Sequence, residues 1–137
     1  MRPPPIIAVP FAALLALSSA PLPAAAPANS LPPPGPALTK ALAGRTPGKP
    51  LTCINLPAIG SSTSLAEGAI IYKQSSRLWY VNRPDDGRCT LLRRDRAIAT
   101  RTPSTQLCRG DIVRVFDPVG HFDYGACGLG DFVPYTK

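Results

Sequence analysis

A long hydrophobic run, a close pair of cysteines and a second histidine are all missing from this sequence, and each absence removes a class of function. The longest apolar stretch, Ile6 to Leu17, is interrupted by Pro10, and Pro21, Pro23 and Pro27 stop its extension. It falls short of the roughly 20 apolar residues that a spanning helix requires, so no transmembrane segment is expected. The four cysteines are separated by 36, 19 and 19 residues, from Cys53 to Cys89, Cys108 and Cys127. Thiolate zinc sites and redox dithiols place ligands two to four residues apart, so neither is expected, and no metal or other cofactor is implied. No Gly-x-Ser-x-Gly elbow occurs, which removes the strand–turn–helix serine nucleophile. The lack of any 3.6-residue apolar repeat sustained over three turns argues against a helical domain.

What is present begins with an export signal. Arg2 supplies a minimal positive charge, Ile6–Leu17 the apolar core, and Ala26-Pro27-Ala28 the small-residue cleavage pattern. Cleavage after Ala20 or Ala26 would leave proline first, so residues 1–28 read as a signal peptide cut between Ala28 and Asn29. No cysteine lies close behind the apolar core, which argues against an acylated N-terminus. The mature protein is therefore expected in the periplasm or the medium.

Thirteen of the eighteen prolines lie at or before Pro50. That composition predicts a disordered, extended spacer over residues 29–50. Ala37 to Ala43 has the makings of two helical turns ending at Gly44, but a helix that short is marginal alone. The folded domain is expected over residues 51–137.

From Leu51 the texture is of strands and turns. Ala69–Lys73 and Arg77–Asn82 are rich in β-branched and aromatic residues, with a hairpin loop at Gln74-Ser75-Ser76. Pro84-Asp85-Asp86-Gly87 is a turn signal in which proline presets φ and glycine takes the left-handed position. Arg96–Arg101, Asp111–Phe116 and Asp131–Tyr135 complete the set, and the domain reads as all-β, a small barrel or sandwich of five to seven short strands. In an exported domain of this size four cysteines imply two disulfides, with three connectivities open. Linking the two ends of the domain favours Cys53–Cys127, with Cys89–Cys108 nested inside it.

The cysteine spacing and several flanking motifs resemble a family of small exported proteobacterial proteins with no assigned function. The matching residues are Cys53-Ile54-Asn55-Leu56 with Ile59, Ala69-Ile70-Ile71-Tyr72, Tyr80-Val81-Asn82 and Cys89. They continue through Thr105-Gln106-Leu107-Cys108, Asp111-Ile112-Val113-Arg114-Val115 and Cys127-Gly128-Leu129-Gly130-Asp131-Phe132, so the resemblance spans about residues 53–137. Where such proteins carry Pro-Gly-Leu after the second cysteine, this chain has Thr90-Leu91-Leu92. The resemblance implies extracytoplasmic residence and four paired cysteines, and no catalytic residue.

Among candidate chemical groups, His121 stands near Asp117 and Asp123 in a loop-like segment. A small hydrolase using this pair is an alternative, although an active site needs more convergent groups than one histidine and its neighbours. The stronger feature is basic. The formal charge is +7, and Arg77, Arg83, Arg88, Arg93, Arg94, Arg96, Arg101, Arg109 and Arg114 face only Asp85, Asp86, Asp95 and Asp111 in the same stretch. Arginine pairs bidentately with phosphate and carboxylate, and a shared basic face attracts anions. Cationic density peaks at Arg93, Arg94 and Arg96. The expectation is a non-enzymatic envelope protein that binds an anionic envelope component or a partner protein there. Nucleic acid is not an expected partner. A further alternative is an inhibitor-like module presenting the loop Gly120 to Ala126 to an exported enzyme.

Overall fold

A computed structural model describes residues 32–137. The expected signal peptide and its cleavage site lie outside the described residues.

The architecture is all-β, with ten strands in three open sheets among the described residues. Seven strands have five or six residues: β3 (Ser61–Leu65), β4 (Ala69–Lys73), β5 (Leu78–Asn82), β6 (Ala97–Arg101), β8 (Ile112–Phe116), β9 (Asp123–Gly128) and β10 (Phe132–Thr136). Three shorter ones are β1 (Thr46–Pro47), β2 (Cys53–Asn55) and β7 (Gln106–Cys108). The largest sheet has the order β1-β10-β5-β4-β3, a second pairs β2 with β7, and a third has the order β6-β8-β9. No sheet closes on itself, so the fold is a layered assembly of sheets and not a barrel.

The five-stranded sheet is buried on both faces, which explains the continuous apolar run Ala69-Ile70-Ile71-Tyr72 in β4. Alternation sends Ile70, Tyr72 and Phe132 to one face, where they pack with Val113, Val115, Leu107, Leu92 and the two buried cysteines. Ala69, Ile71 and Val81 go to the other face, where they pack with Leu38, Leu42 and Leu65. Trp79 and Tyr80, adjacent in β5, accordingly lie against different clusters.

The second face is covered by the segment that composition marks as a spacer. A short helix, α1 (Pro36–Ala41), lays Leu38 and Leu42 on the sheet, and β1 pairs with β10. Burying two leucines contributes about 2 kcal/mol each, enough to order a helix too short to persist in water. Glu67 completes it: its carboxylate accepts from the Ala37 and Leu38 amides at 2.7 and 3.0 Å, satisfying orphan donors of the first turn. A side chain at Gly35 would meet that carboxyl and displace it from the cap. Arg83 Nη1 also donates to the Pro32 carbonyl. The expected disordered spacer over 29–50 is thus corrected for residues 36–47. Proline content hid an i, i+4 leucine pair with a face to cover.

The disulfides join Cys53 to Cys108 and Cys89 to Cys127. The nested pairing Cys53–Cys127 with Cys89–Cys108 is overturned. Cys53 and Cys108 are directly opposed in the β2–β7 ladder, while the ends of the domain are tied by main-chain bonds. Leu51 and Phe132 exchange N–H···O bonds of 2.8 Å in each direction, so the ends meet without a disulfide between them. Cys89 is aimed at β9 by the preceding turn. Asp85 (φ 49°), Asp86 (φ 55°) and Gly87 (φ 79°) are all left-handed, which disfavours the two aspartates by about 1–2 kcal/mol each. The Asp85 carboxylate offsets part of this by accepting the Gly128 amide at 3.0 Å, beside Cys127.

Candidate functional site: a basic groove between two sheet edges

In the sheet orders, β3 is the last strand of the five-stranded sheet and β6 the first of the three-stranded one. Between them runs a groove of about 700 Å³ lined by Ser62, Thr63, Ser64, Lys73, Arg94, Arg96, Ala97 and Ile98. Successive side chains of a strand point to opposite faces. A cavity that touches three consecutive residues of β3, and the consecutive run Arg96-Ala97-Ile98, therefore meets the strand edges themselves. It is lined by hydroxyl residues, cations and the apolar pair Ala97 and Ile98, and by no carboxylate.

Arg96 is the most constrained of the cations. Its Nη1 donates to the Leu91 carbonyl at 2.8 Å, and its guanidinium lies 3.7 Å from the centroid of the Tyr124 ring. Its Nε is buried without a hydrogen-bond partner among the described residues. Leu91 and Tyr124 fix the plane of the guanidinium beside β6, so little side-chain freedom is left to lose on contact with an anion. Arg94 is exposed and lines the same groove. Arg93 is exposed as well but does not line it; the turn closed by the Arg96 amide on the Arg93 carbonyl separates the two. Asp95 is exposed and also off the lining.

The structure thus brings together Arg94 and Arg96 of the three expected residues, and adds Lys73 and the hydroxyls of β3. The sequence reading did not join these, because Ser61–Ser64 reads only as a polar run beside a strand and Lys73 as the end of the strand Ala69–Lys73. The signal available was Thr63-Ser64-Leu65 leading into Glu67-Gly68 and the β4 strand, the outline of a hairpin.

The remaining arginines are dispersed or neutralised. Arg88 pairs with Asp86 at 3.4 Å, Arg109 with Asp131 at 3.2 Å, and Arg114 with Asp123. A smaller hollow of about 110 Å³ holds Arg83 and Arg109 but also Asp86 and Asp131, so its charges cancel.

His121 is exposed at the β8–β9 loop with φ 55°. Asp117 does not serve it: Oδ1 accepts the Val119 and Gly120 amides, both at 2.7 Å. Those two backbone bonds hold the Asp117 carboxyl below its usual range. Asp123 is held low first by its bond with Arg114 and then by the Gly125 amide. Both carboxylates thus shape the loop, and among the described residues neither is hydrogen-bonded to the His121 side chain. Asp85, Cys89 and Cys127 offer three close ligand atoms, but both sulfurs are spent in the disulfide and cannot act as thiolates.

Comparison with known proteins finds no match to this chain, whether a family model, a curated protein or a solved structure.

Proposed function

We propose that this is an exported, non-enzymatic binding protein that takes an anionic envelope component in the groove between β3 and β6. The observation that carries the reading is a cavity with three cationic side chains and no carboxylate in its lining. Phosphate and carboxylate are the anions whose geometry Arg94 and Arg96 match. Export is part of the proposal, as is membership of the small four-cysteine proteobacterial family. Two disulfides suit an oxidising compartment, and no helix among the described residues is long and apolar enough to cross a membrane.

The test is retention of the oxidised protein on a phosphate- or carboxylate-bearing matrix at low salt. The double variant Lys73→Glu/Arg94→Glu loses retention, whereas Arg77→Glu/Arg88→Glu, the same change of net charge at residues outside the groove lining, keeps most of it. Equal loss from both would reduce the effect to net charge.

A second reading draws on the β8–β9 loop. Val119 and Phe122 are exposed there at 87% and 63%, on a loop braced by Asp117 and by the edge-to-face pair Phe122–Tyr124, 5.1 Å between centroids. A braced loop with two apolar tips suits the inhibitor-like role of Gly120 to Ala126, inserted into the cleft of an exported enzyme.

A further inference from the structure

We propose that the occupant of the groove is an extended polypeptide segment with carboxylate side chains, added as a further strand to the outer edge of β3, which pairs with no strand but β4 among the described residues. This rests on the reading of the groove as an anion site and specifies what carries the charge.

The edges of the three sheets are not equivalent. Natural edge strands are blunted by proline, charge, bulges or shortness. β1 has two residues, one of them Pro47. β9 carries a register shift opposite Val115 and Phe116, and it has Gly125 at φ 124°. β6 is bordered by Arg96 and ends at Arg101. β2 and β7 have three residues each. β3 has none of these devices: it is five residues of Ser-Ser-Thr-Ser-Leu in unbroken register with β4. It has no proline and no charged side chain. Its outer row of main-chain donors and acceptors faces the groove, because Ser62, Thr63 and Ser64 line it consecutively.

An incoming strand would pair with that row over about 17 Å, the length of five residues. The small hydroxyl side chains of β3 leave room for it. Arg94 and Arg96, at the start of β6, then stand where acidic side chains of the added strand can reach them. Main-chain bonds would supply affinity, and the cations would select acidic sequences. A lipid or free phosphate would use the same cations but would leave the β3 amides unengaged.

The test uses the oxidised protein and a capped heptapeptide alternating glutamate with valine. Two N-methylated versions block one or the other set of alternate amides, and inorganic polyphosphate serves as an anion without a peptide backbone. Binding is read by fluorescence anisotropy, and amide exchange is followed at Ser61–Leu65. The proposal requires that the parent peptide binds and slows exchange in β3. It also requires that one N-methylated version, and not the other, binds about tenfold or more weakly. Equal binding of all three peptides overturns strand addition and leaves the anion site standing. Binding of polyphosphate without the parent peptide does the same. If neither binds at low salt, the groove is not an anion site and both readings fall.

Discussion

The guanidinium of Arg45 lies 3.5 Å from the centroid of the Trp79 ring, and its nitrogens donate to the carbonyls of Ser76 and Arg77. Lys73 approaches the same ring at 4.7 Å. The indole is thereby clamped between the N-terminal segment and the hairpin that carries the end of the groove.

Undocking α1 should therefore be visible at the single tryptophan. Leu38→Ala removes a buried side chain from the second cluster and is expected to cost about 2–4 kcal/mol, read by urea unfolding. Arg45→Ala is expected to cost about 1 kcal/mol and to shift Trp79 emission to the red. Unchanged stability in Leu38→Ala would mean that α1 does not cover the sheet.

Disulfide mapping of the unreduced protein should give peptides linking Cys53 to Cys108 and Cys89 to Cys127. The closed loops span separations of 55 and 38 residues, so losing either bridge to a Cys→Ser pair should cost roughly 4 kcal/mol in the loop-entropy model. A recovered Cys53–Cys127 peptide would contradict the fold.

Two buried polar side chains make opposite predictions. Asn82 is fully buried and bonds both main-chain groups of Gly130, donating to its carbonyl at 2.7 Å and accepting its amide at 3.1 Å. Asn82→Ala strands both and is expected to cost about 2 kcal/mol or more. The Tyr72 hydroxyl is buried with no partner among the described residues, and burial pushes its pKa far above the usual phenol value. Tyr72→Phe removes a desolvated group and should leave stability equal or raise it by about 1 kcal/mol. Destabilisation by Tyr72→Phe would reveal a hydrogen bond to that hydroxyl.

The β8–β9 loop should loosen in acid. Asp117 and Asp123 are both held below their ordinary values in the folded state. Their contribution is present above the unfolded carboxylate pKa of about 3.9 and is lost as pH falls below it, because the unfolded chain binds protons first. Amide exchange at Val119, Gly120 and Gly125 is expected to accelerate, after correction for intrinsic rates, between about pH 5 and pH 2. Asp117→Asn should flatten that dependence at Val119 and Gly120. Protection that does not change over the range would show that the carboxylates do not brace the loop.

Strands with strong local chemistry were legible in the sequence. Ala69–Lys73 is a strand with those bounds, and the segments expected at Arg77–Asn82 and Asp111–Phe116 each begin one residue later. Elements defined by their partners were not. β3 is a strand because β4 pairs with it, and its serines and threonine alone read only as a polar run. α1 folds because Leu65, Ala69, Ile71 and Val81 offer a surface and Glu67 caps it, 29 and 30 residues away in sequence. The basic site was half legible. Arg94 and Arg96 stand where charge density peaks, but Lys73 joins them through the β3–β4 hairpin, and Arg93 leaves them through a local turn.

The two disulfides overlap along the chain, so that each loop encloses one end of the other. Proteolytic nicks between Cys53 and Cys89 and between Cys108 and Cys127 cut the backbone into three pieces. The middle piece holds Cys89, linked to Cys127 in the last, and Cys108, linked to Cys53 in the first. All three remain one covalent body, whereas a nested pairing would let the middle piece go. A doubly clipped molecule would thus keep both walls of the groove attached.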